Sequence, residues 1–276
     1  MTVFRAISLA VVVTTYNQPK MLAAVLEGYL TQSDSHFELW IADDGSGSET
    51  AELIARFQSR SGSLIHHVWQ PDEGFRVAAI RNRAIAATQA DYIVLTDGDC
   101  VPPPDFIANH RKLAEAGYFV AGNRIMLPQA FSAEILQQHL PIHRWSTGDW
   151  LRAWLRGQIP RLLPLIRLPH WPWFRKLTSR RWRGAKTCNL AVFRQDLLRV
   201  NGLEERYTGW GLEDSDLVIR LLRAGILRKE ARFSVPLFHL WHRENDRGNL
   251  DDNQRRLDEV LHSGEIRAQR GLDQYQ

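Results

Sequence analysis

Short apolar runs alternate with amphipathic stretches along the first 125 residues of this chain. Four runs are continuous enough to predict buried strands, at residues 7–13, 37–42, 64–69 and 92–96. Apolar positions at helical spacing between them predict helices over residues 19–30, 49–59 and 77–88. This alternation predicts an α/β fold with a mostly parallel sheet, right-handed crossovers and helices on the faces of the sheet.

The pattern changes over residues 130–183, which are rich in Trp, Arg, Leu and Pro. We interpret this stretch as an insertion with short amphipathic helices. Further strands are predicted at residues 187–193 and 233–238, with a helix at 214–222 that begins with acidic residues. We expect one domain over residues 1–250, followed by a charged helical tail at 251–276 that packs outside the site.

Composition fits a folded protein with an ordinary core, since 44% of the 276 residues are hydrophobic and 24% are charged. The two cysteines, Cys100 and Cys188, form no disulfide framework or zinc-type spacing, which favours a reducing cytoplasm. The apolar N-terminal run is better explained as a first strand than as a signal peptide. No stretch approaches the roughly 18 apolar residues of a membrane span. A formal charge of +4 favours anionic partners.

An acidic pair follows the fourth predicted strand. Asp97 and Asp99 flank Gly98, so they leave a buried strand in a tight turn. At positions i and i+2 their carboxylates are expected to point to the same side. Hard divalent cations prefer such oxygen ligands and keep coordination places free for phosphate. The pair therefore predicts half of a metal site at the edge of the sheet, where ligands bind in such folds.

A second acidic cluster lies about a hundred residues later, within Tyr207-Thr208-Gly209-Trp210-Gly211-Leu212-Glu213-Asp214-Ser215-Asp216. Its three carboxylates repel one another when ionised, which is tolerated where a positive group or a proton-transfer role holds them. A large aromatic residue beside clustered acids is typical of a binding loop. A metal half-site and a separate acidic site together suggest a metal-held leaving group and a general base.

The motifs resemble family 2 glycosyltransferases of the GT-A fold. The resemblance rests on Val11-Val12-Val13-Thr14-Thr15-Tyr16-Asn17, Asp43-Asp44-Gly45-Ser46, Arg81-Asn82 and Asp97-Gly98-Asp99. The stretch from Gly209 to Asp216 is similar to the acceptor motif of β-1,4-galactosyltransferases and bacterial chondroitin-type polymerases. The resemblance implies a Rossmann-like domain whose nucleotide-sugar half spans residues 1–125 and whose acceptor and catalytic half spans 184–245.

The resemblance also implies a role for each matching residue. Those expected to bind the donor are Thr14, Tyr16, Asp43, Asp44, Arg76, Arg81, Asp97 and Asp99. Asp214 is expected to be the catalytic base, with Glu213 orienting it or holding the acceptor beside Trp210 and Gly211. Asp99 and Asp97 would bind the metal together with His242 or His239. Histidine ligands favour Mn²⁺ over Mg²⁺.

These residues imply a metal-dependent inverting glycosyltransferase that uses a nucleotide sugar, with UDP favoured. The expected acceptor is a glycan or lipid-linked glycan of bacterial surface polysaccharide or lipopolysaccharide. A sugar-nucleotide-forming nucleotidyltransferase is an alternative, but it would be expected to carry a Gly-rich basic loop after the first strand. Residues 14–19 contain no Gly, Lys or Arg.

A non-enzymatic protein that binds nucleic acid or a membrane surface through the Trp/Arg-rich stretch is the other alternative. No nucleic-acid-binding motif accompanies that stretch, so no nucleic acid partner is expected. Four tryptophans could either pack on the sheet or face an acceptor or bilayer: Trp154, Trp171, Trp173 and Trp182. Peripheral contact with the inner face of the cell membrane would use five cations: Arg175, Lys176, Arg180, Arg181 and Arg183.

Overall fold

The computed structural model describes residues 7–162, 165–168, 172–243 and 248–275. The strands within these ranges are β1 (Leu9–Thr15), β2 (Glu38–Asp43), β3 (Ile65–Trp69), β4 (Tyr92–Asp97), β5 (Cys100–Val101), β6 (Tyr118–Ala121), β7 (Asn123–Met126), β8 (Asn189–Phe193), β9 (Leu227–Glu230) and β10 (Pro236–His239). The α-helices are α1 (Pro19–Leu30), α2 (Ser48–Ser61), α3 (Val77–Ala87), α4 (Phe106–Leu113), α5 (Gln129–Gln138), α6 (Thr147–Leu155), α7 (Pro172–Arg175), α8 (Arg194–Arg199), α9 (Glu213–Arg223) and α10 (Leu250–His262).

The main sheet has seven strands in the order β3-β2-β1-β4-β8-β6-β9. The first four of these neighbours are parallel, and β8 runs antiparallel to both β4 and β6. The register pairs Thr14 with Asp97 and Thr15 with Asp43, so polar side chains meet at the carboxyl ends of three adjacent strands. The predicted α/β fold, a mostly parallel sheet flanked by helices, is confirmed.

A second, three-stranded sheet has the order β5-β10-β7. Strand β10 is antiparallel to β5 and pairs His239 with Cys100. The backbone N–H of Leu240 donates to the carbonyl oxygen of Asp99 at 2.9 Å. This small sheet therefore brings the end of β10 to the turn that follows β4.

Two elements differ from the sequence predictions. The strand predicted at residues 233–238 begins at Pro236, because Phe233 adopts a left-handed turn conformation with φ 66°. Only the first part of the predicted helical tail is α-helical, since α10 ends at His262 and only a short 3-10 helix, Leu272–Tyr275, follows among the described residues. The segment after α10 folds back onto the domain and buries Leu272 completely.

This returning segment stabilises the helix that carries Arg81. Next to Arg81 on α3, the buried Asn82 amide donates to the Leu203 carbonyl at 2.8 Å and to the Glu205 carboxylate at 2.9 Å. The Asn82 side-chain oxygen accepts from the Leu203 N–H at 2.9 Å. The Tyr275 hydroxyl donates to the other Glu205 oxygen at 3.0 Å. Residues from three distant parts of the chain thus fix α3.

The insertion contains α5, α6 and α7, and its tryptophans divide between core and surface. Trp150 is buried and stacks on Phe238 with ring centroids 4.3 Å apart. Trp182 is partly buried against the core, whereas Trp154 and Trp173 are 41% and 68% exposed. Trp171 lies outside the described residues. Of the four tryptophans in question, Trp182 therefore packs on the core, and Trp154 and Trp173 lie at the surface.

The structure contradicts a membrane-facing position for Arg175. Its side chain is buried, and its guanidinium donates to the Glu230 carbonyl at 3.0 Å and to the Ser234 hydroxyl. Lys176 is held by Glu115 at 2.6 Å. The other three cations of that group, Arg180, Arg181 and Arg183, are exposed. Within the described parts of the chain, none of the helices has both the length and the apolar character that crossing a bilayer requires.

Candidate active site

Asp97 ends β4 and forms the first part of the site. Its Oδ1 accepts from the Thr14 hydroxyl at 2.8 Å and from the Arg81 guanidinium at 2.7 Å. The turn that follows needs Gly98, because a Cβ there would lie 2.9 Å from the Thr14 carbonyl oxygen. The Gly98 N–H donates to that same oxygen at 2.7 Å. The close approach of the backbone therefore fixes the direction in which the chain leaves β4.

Asp99 faces different partners from Asp97. Its Oδ2 lies 3.4 Å from His239 Nε2 and 3.0 Å from His242 Nε2. Burial alone would raise the pKa of Asp99, but the hydrogen bond from His242 and the nearby His239 together lower it. The two carboxylates predicted to act as one pair are thus divided, one toward Arg81 and the other toward two imidazoles.

The imidazole groups around Asp99 fit a divalent cation. His242 Nε2 lies 3.0 Å from Asp99 and its Nδ1 lies 2.7 Å from the Arg243 carbonyl, and these two hydrogen bonds raise the pKa of the His242 ring. A cation between Asp99 and His242 would take the place of the proton on Nε2, while Nδ1–H keeps its carbonyl partner. Burial lowers the pKa of His239, which keeps its ring in the neutral form that binds metals. Its Nδ1 is buried without a hydrogen-bond partner among the described residues. One carboxylate and two imidazole nitrogens form a donor set that suits Mn²⁺.

Two buried thiols lie beside these carboxylates. Ligand atoms of Asp99, Cys100 and His239 lie within 4.8 Å of one another. However, the Cys100 thiol donates to Asp99 Oδ1 at 3.1 Å, whereas both imidazole Nε2 atoms face Oδ2, and burial raises the pKa of this thiol well above its usual range. Burial raises the pKa of Cys188 to about 12, and the charges of Asp97, Asp99 and Asp214 add to that rise. Carboxylates from both acidic clusters therefore lie around Cys188.

The second acidic cluster begins α9 after a loop with unusual backbone geometry. Gly209, Gly211 and Leu212 have φ angles of 70°, 103° and 77°. Glycine adopts such angles readily, but a leucine does so at a cost that neighbouring contacts must offset. The loop is fixed from outside by α10, where the buried Asn253 amide donates to the carbonyls of Thr208 and Gly211, each at 3.1 Å.

Arg81 joins the two acidic clusters. One of its nitrogens contacts Asp97 at 2.7 Å, and another contacts Glu213 at 3.4 Å. Burial and the charge of Asp214 raise the pKa of Glu213 to about 7, against the effect of Arg81. Burial also raises the pKa of Asp214, opposed by Lys186 and Arg81. Carboxyl groups with raised pKa values in a site are suited to proton transfer near neutral pH.

The third acid of this cluster has a structural role. Asp216 is buried and accepts from Arg220 Nε at 2.5 Å and from the Tyr207 hydroxyl at 3.2 Å. Arg220 in turn donates to the carbonyls of Val200 and Gly202. This network ties α9 to the preceding chain and leaves Glu213 and Asp214 as the chemical candidates.

The residues predicted to seat the nucleotide lie at the ends of β1 and β2. Both Asp44 oxygens already accept hydrogen bonds, from Gln70 Nε2 at 2.6 Å and from the Arg76 backbone N–H at 2.8 Å. Asp43 is fully buried, accepts from the Ser46 N–H at 2.8 Å and lies 3.0 Å from His67 Nε2. These contacts fix the orientation of both carboxylates at the carboxyl end of β2.

Two further candidates for the donor occupy more open positions. The Tyr16 ring is 46% exposed and its hydroxyl donates to Asp72 at 2.8 Å. The Arg76 guanidinium contacts Glu73 at 2.7 Å and donates to the Pro71 carbonyl at 2.9 Å. Trp210 is half-buried in the loop that precedes α9.

Sequence reasoning missed two supporting residues, Gln70 and Asn253. Gln70 is buried one position after β3, and its amide orients Asp44. Asn253 occupies a helical stripe with Leu257 and Val260, both of which are buried. The sequence did contain a signal for Asn253, because it is a polar amide at an apolar position of an amphipathic helix. A buried amide needs hydrogen-bond partners.

Comparisons with known proteins agree with this geometry. Residues 10–166 match the family described as Glycosyl transferase family 2. The chain belongs to this family. Residues 173–242 of this family 2 chain match a second description, N-terminal domain of galactosyltransferase. The resemblance inferred from the motifs is therefore confirmed.

Curated relatives of this family 2 chain include a validoxylamine A glucosyltransferase of Streptomyces hygroscopicus subsp. jinggangensis (strain 5008). It is 27% identical over 234 residues, which cover 79% of this chain and 52% of that protein. A chondroitin synthase of Escherichia coli is 26% identical over 238 residues, covering 79% of this chain and 32% of that protein. The chain thus spans about half of the first relative and a third of the second.

Solved structures show the same fold. A mannosyltransferase, PcManGT from Pyrobaculum calidifontis in complex with GDP-Man and Mn²⁺, has a TM-score of 0.58 and 16% identity. The structural match covers 94% of this chain and 63% of the mannosyltransferase chain. The structure of S. aureus TarS 1-349 has a TM-score of 0.61 and 10% identity. That match covers 97% of this chain and 68% of the TarS chain.

Proposed function

We propose that the protein is a metal-dependent inverting glycosyltransferase that moves a sugar from a nucleotide donor, with UDP favoured, to a glycan hydroxyl. The observation that carries this proposal is the contact of Arg81 with Asp97 on one side and Glu213 on the other. The buried Arg81 side chain thus connects the carboxyl ends of β1, β2 and β4, here called the donor edge, to residues 207–214, here called the acceptor loop. Family membership favours this function over a nucleotidyltransferase or a binding protein.

In this proposal, Asp99, His239 and His242 hold a divalent cation. When bound, the cation would neutralise the charge that develops on the departing diphosphate, which is worth several kcal/mol. The fit rests on the Nε2 atoms of both imidazoles, which lie within 3.4 Å of Asp99 Oδ2, and on the lowered pKa of His239. The relative that was solved with GDP-Man and Mn²⁺ supports the same ligand class. Asp97 is assigned to position Arg81 and Thr14 rather than to bind the cation directly.

Asp214 is assigned as the general base. The acceptor hydroxyl oxygen attacks the anomeric carbon as its proton passes to Asp214. The bond between that carbon and the diphosphate oxygen breaks, and the nucleotide leaves with the electron pair. Inversion follows from this single in-line displacement. Glu213, held by Arg81, is assigned to bind an acceptor hydroxyl beside Trp210 and Gly211.

The names of the curated relatives support a carbohydrate acceptor. We assign bacterial surface polysaccharide or lipopolysaccharide as the acceptor class, which remains to be tested with defined glycans. In this proposal the protein works in the cytoplasm, with peripheral contact to the inner face of the membrane.

The membrane contact is assigned to α6 and the exposed arginines. Leu151, Trp154 and Leu155 lie at i, i+3 and i+4 and are 44%, 41% and 70% exposed, so they form one apolar stripe. Residues 139–183 contain ten Lys or Arg and one acid, Asp149. An apolar stripe with Trp and flanking cations suits an anionic bilayer surface.

Co-sedimentation with anionic liposomes at low and high salt tests this contact. Arg180/Arg181/Arg183→Glu and Leu151/Trp154/Leu155→Ser should each reduce binding while UDP binding is retained. Failure of the wild-type protein to bind such liposomes at low salt would overturn the membrane assignment alone.

The transferase proposal is tested by donor hydrolysis with purified protein. A panel of UDP-, GDP- and TDP-sugars is incubated with Mn²⁺, with Mg²⁺ or with EDTA. We expect hydrolysis of at least one UDP-sugar that needs the metal and that Asp214→Asn reduces. Asp251→Asn, an exposed acid on α10, is the matched control. Hydrolysis of a GDP-sugar alone would overturn the UDP assignment, and hydrolysis that EDTA leaves unchanged, or no hydrolysis of any donor, would overturn the proposal.

A further inference from the structure

A groove outside the site lies between α1, α2 and residues 135–144. Its volume is about 580 Å³, within the usual range for small-molecule pockets. None of the residues assigned above to the donor, metal, base or acceptor lines it. The groove is therefore separate from the proposed chemistry, and its side chains can be changed independently.

Small residues on α1 create the space. Ala23 and Ala24 lie on the side of α1 that faces the groove, where longer side chains would fill it. Leu53 and Phe57 of α2 contribute apolar surface opposite them, and Ile135 at the end of α5 adds more. The interior is therefore suited to a hydrocarbon chain, since burying apolar surface is the main source of affinity in such sites.

Positive charge surrounds this apolar interior. Lys20, Arg56 and Arg144 line the groove and are exposed, and within the described ranges none of them forms an ion pair. Glu27 is neutralised by Arg60, whose Nη1 lies 2.7 Å from its carboxylate. Glu49 is the other acid in the lining, so cations remain in excess.

We propose that this groove binds an amphipathic phosphate, in which an alkyl or prenyl chain lies over Ala23 and Ala24 and the phosphate contacts Lys20, Arg56 or Arg144. The two parts of such a ligand have different contacts. The alanines leave space for the alkyl chain, and arginine and lysine bind the phosphate. A neutral amphiphile lacks the second contact, and free phosphate lacks the first.

Titration calorimetry with dodecyl phosphate below its micelle concentration tests the proposal. Inorganic phosphate and dodecyl maltoside are the two comparison ligands. We expect dodecyl phosphate to bind at least about tenfold more tightly than either. Equal binding of dodecyl maltoside would show that charge plays no part, and equal binding of inorganic phosphate would reduce the groove to a simple anion site. Either result overturns the proposal.

Two variants locate the ligand. Ala24→Phe should fill the groove and weaken dodecyl phosphate binding at least about tenfold. Ala55→Phe is its control, because Ala55 is an exposed alanine in the middle of α2 that does not line the groove. Arg56→Glu reverses the charge at an exposed position, so it tests the same site if Ala24→Phe fails to fold. Unchanged binding in both groove variants would overturn the assignment.

The result is independent of the transferase proposal. UDP binding with Mn²⁺ should be the same in wild type, Ala24→Phe and Arg56→Glu. A protein that binds dodecyl phosphate in the groove but hydrolyses no nucleotide sugar would retain this inference and lose the other.

Discussion

The donor edge and the acceptor loop reach the same site by different structural means. At the donor edge, Asp97 ends a buried strand whose register with β1 places it beside Thr14. In the acceptor loop, Glu213 and Asp214 follow a backbone with three left-handed residues, fixed by the Asn253 amide from another helix. The first arrangement is built into the sheet, and the second depends on contacts from distant chain. We therefore expect substitutions at the donor edge and in the acceptor loop to affect activity and stability in different ways.

The largest effect is expected at the donor edge. Asp99→Ala should reduce transfer on the order of a thousandfold, because stabilisation of the leaving group by the cation is worth several kcal/mol. Calorimetry of UDP binding with and without Mn²⁺ is the measurement, and the fold should persist because Asp99 lies in a turn. His242→Ala should weaken Mn²⁺ binding, with the 92% exposed His36→Ala as control. Unaltered metal-dependent UDP binding in Asp99→Ala would contradict the metal assignment.

The next effect separates chemistry from binding in the acceptor loop. Asp214→Asn keeps the shape of the side chain and removes the proton acceptor, so turnover should fall by about a hundredfold or more. UDP affinity, measured by calorimetry, should stay nearly the same, because the donor edge is intact. Near-normal turnover, or a loss of UDP affinity alone, would show that Asp214 does not act as the base.

A smaller effect tests whether the acceptor loop depends on α10. Asn253→Leu removes hydrogen bonds to the loop carbonyls, and we expect about tenfold lower kcat/KM for the acceptor with unchanged UDP affinity. Unpaired buried carbonyls should also cost about 1–3 kcal/mol of unfolding free energy. Val260→Ala, a buried change on the same helix, controls for lost stability. If both variants lose acceptor turnover equally, Asn253 is only a packing residue.

The smallest effect concerns the support of α3. Tyr275→Phe removes one hydrogen bond to Glu205, worth about 0.5–1.5 kcal/mol. The melting temperature should fall by a few degrees, and the effect on turnover should be minor because Asn82 keeps its other contacts. A large fall in turnover without a change in melting temperature would mean that this contact positions Arg81 directly.

The same contrast explains how far the sequence could predict the structure. Apolar runs predicted the four parallel strands of the donor edge, and the turn residues that follow buried strands must meet there. The Asp-Gly-Asp motif placed two carboxylates correctly at the end of β4, but not their separate partners. Those partners, Arg81 for one and His239 and His242 for the other, are set by tertiary packing.

The acceptor loop was predictable only as a motif. Residue identity indicated chemistry at Glu213 and Asp214, but the left-handed Leu212 and the contact from Asn253 leave no local signal in the loop itself. The tail was predicted to pack outside the site, but the contacts of its first helix with the loop before α9 could not be predicted. Arg175 was predicted to face lipid because it lies in a basic run, whereas backbone carbonyls around Ser234 enclose it.

The support of Asn82 has a consequence for synthesis of the chain on the ribosome. Leu203, its hydrogen-bond partner, follows 121 residues later, a delay of roughly 6–24 s at about 5–20 residues per second. Until then, the helix that carries Arg81 has an amide without its native partners beside a sheet edge that still lacks β8. The nucleotide-sugar half of the nascent chain therefore stays only partly assembled, and accessible to chaperones, until residues beyond 200 have been translated.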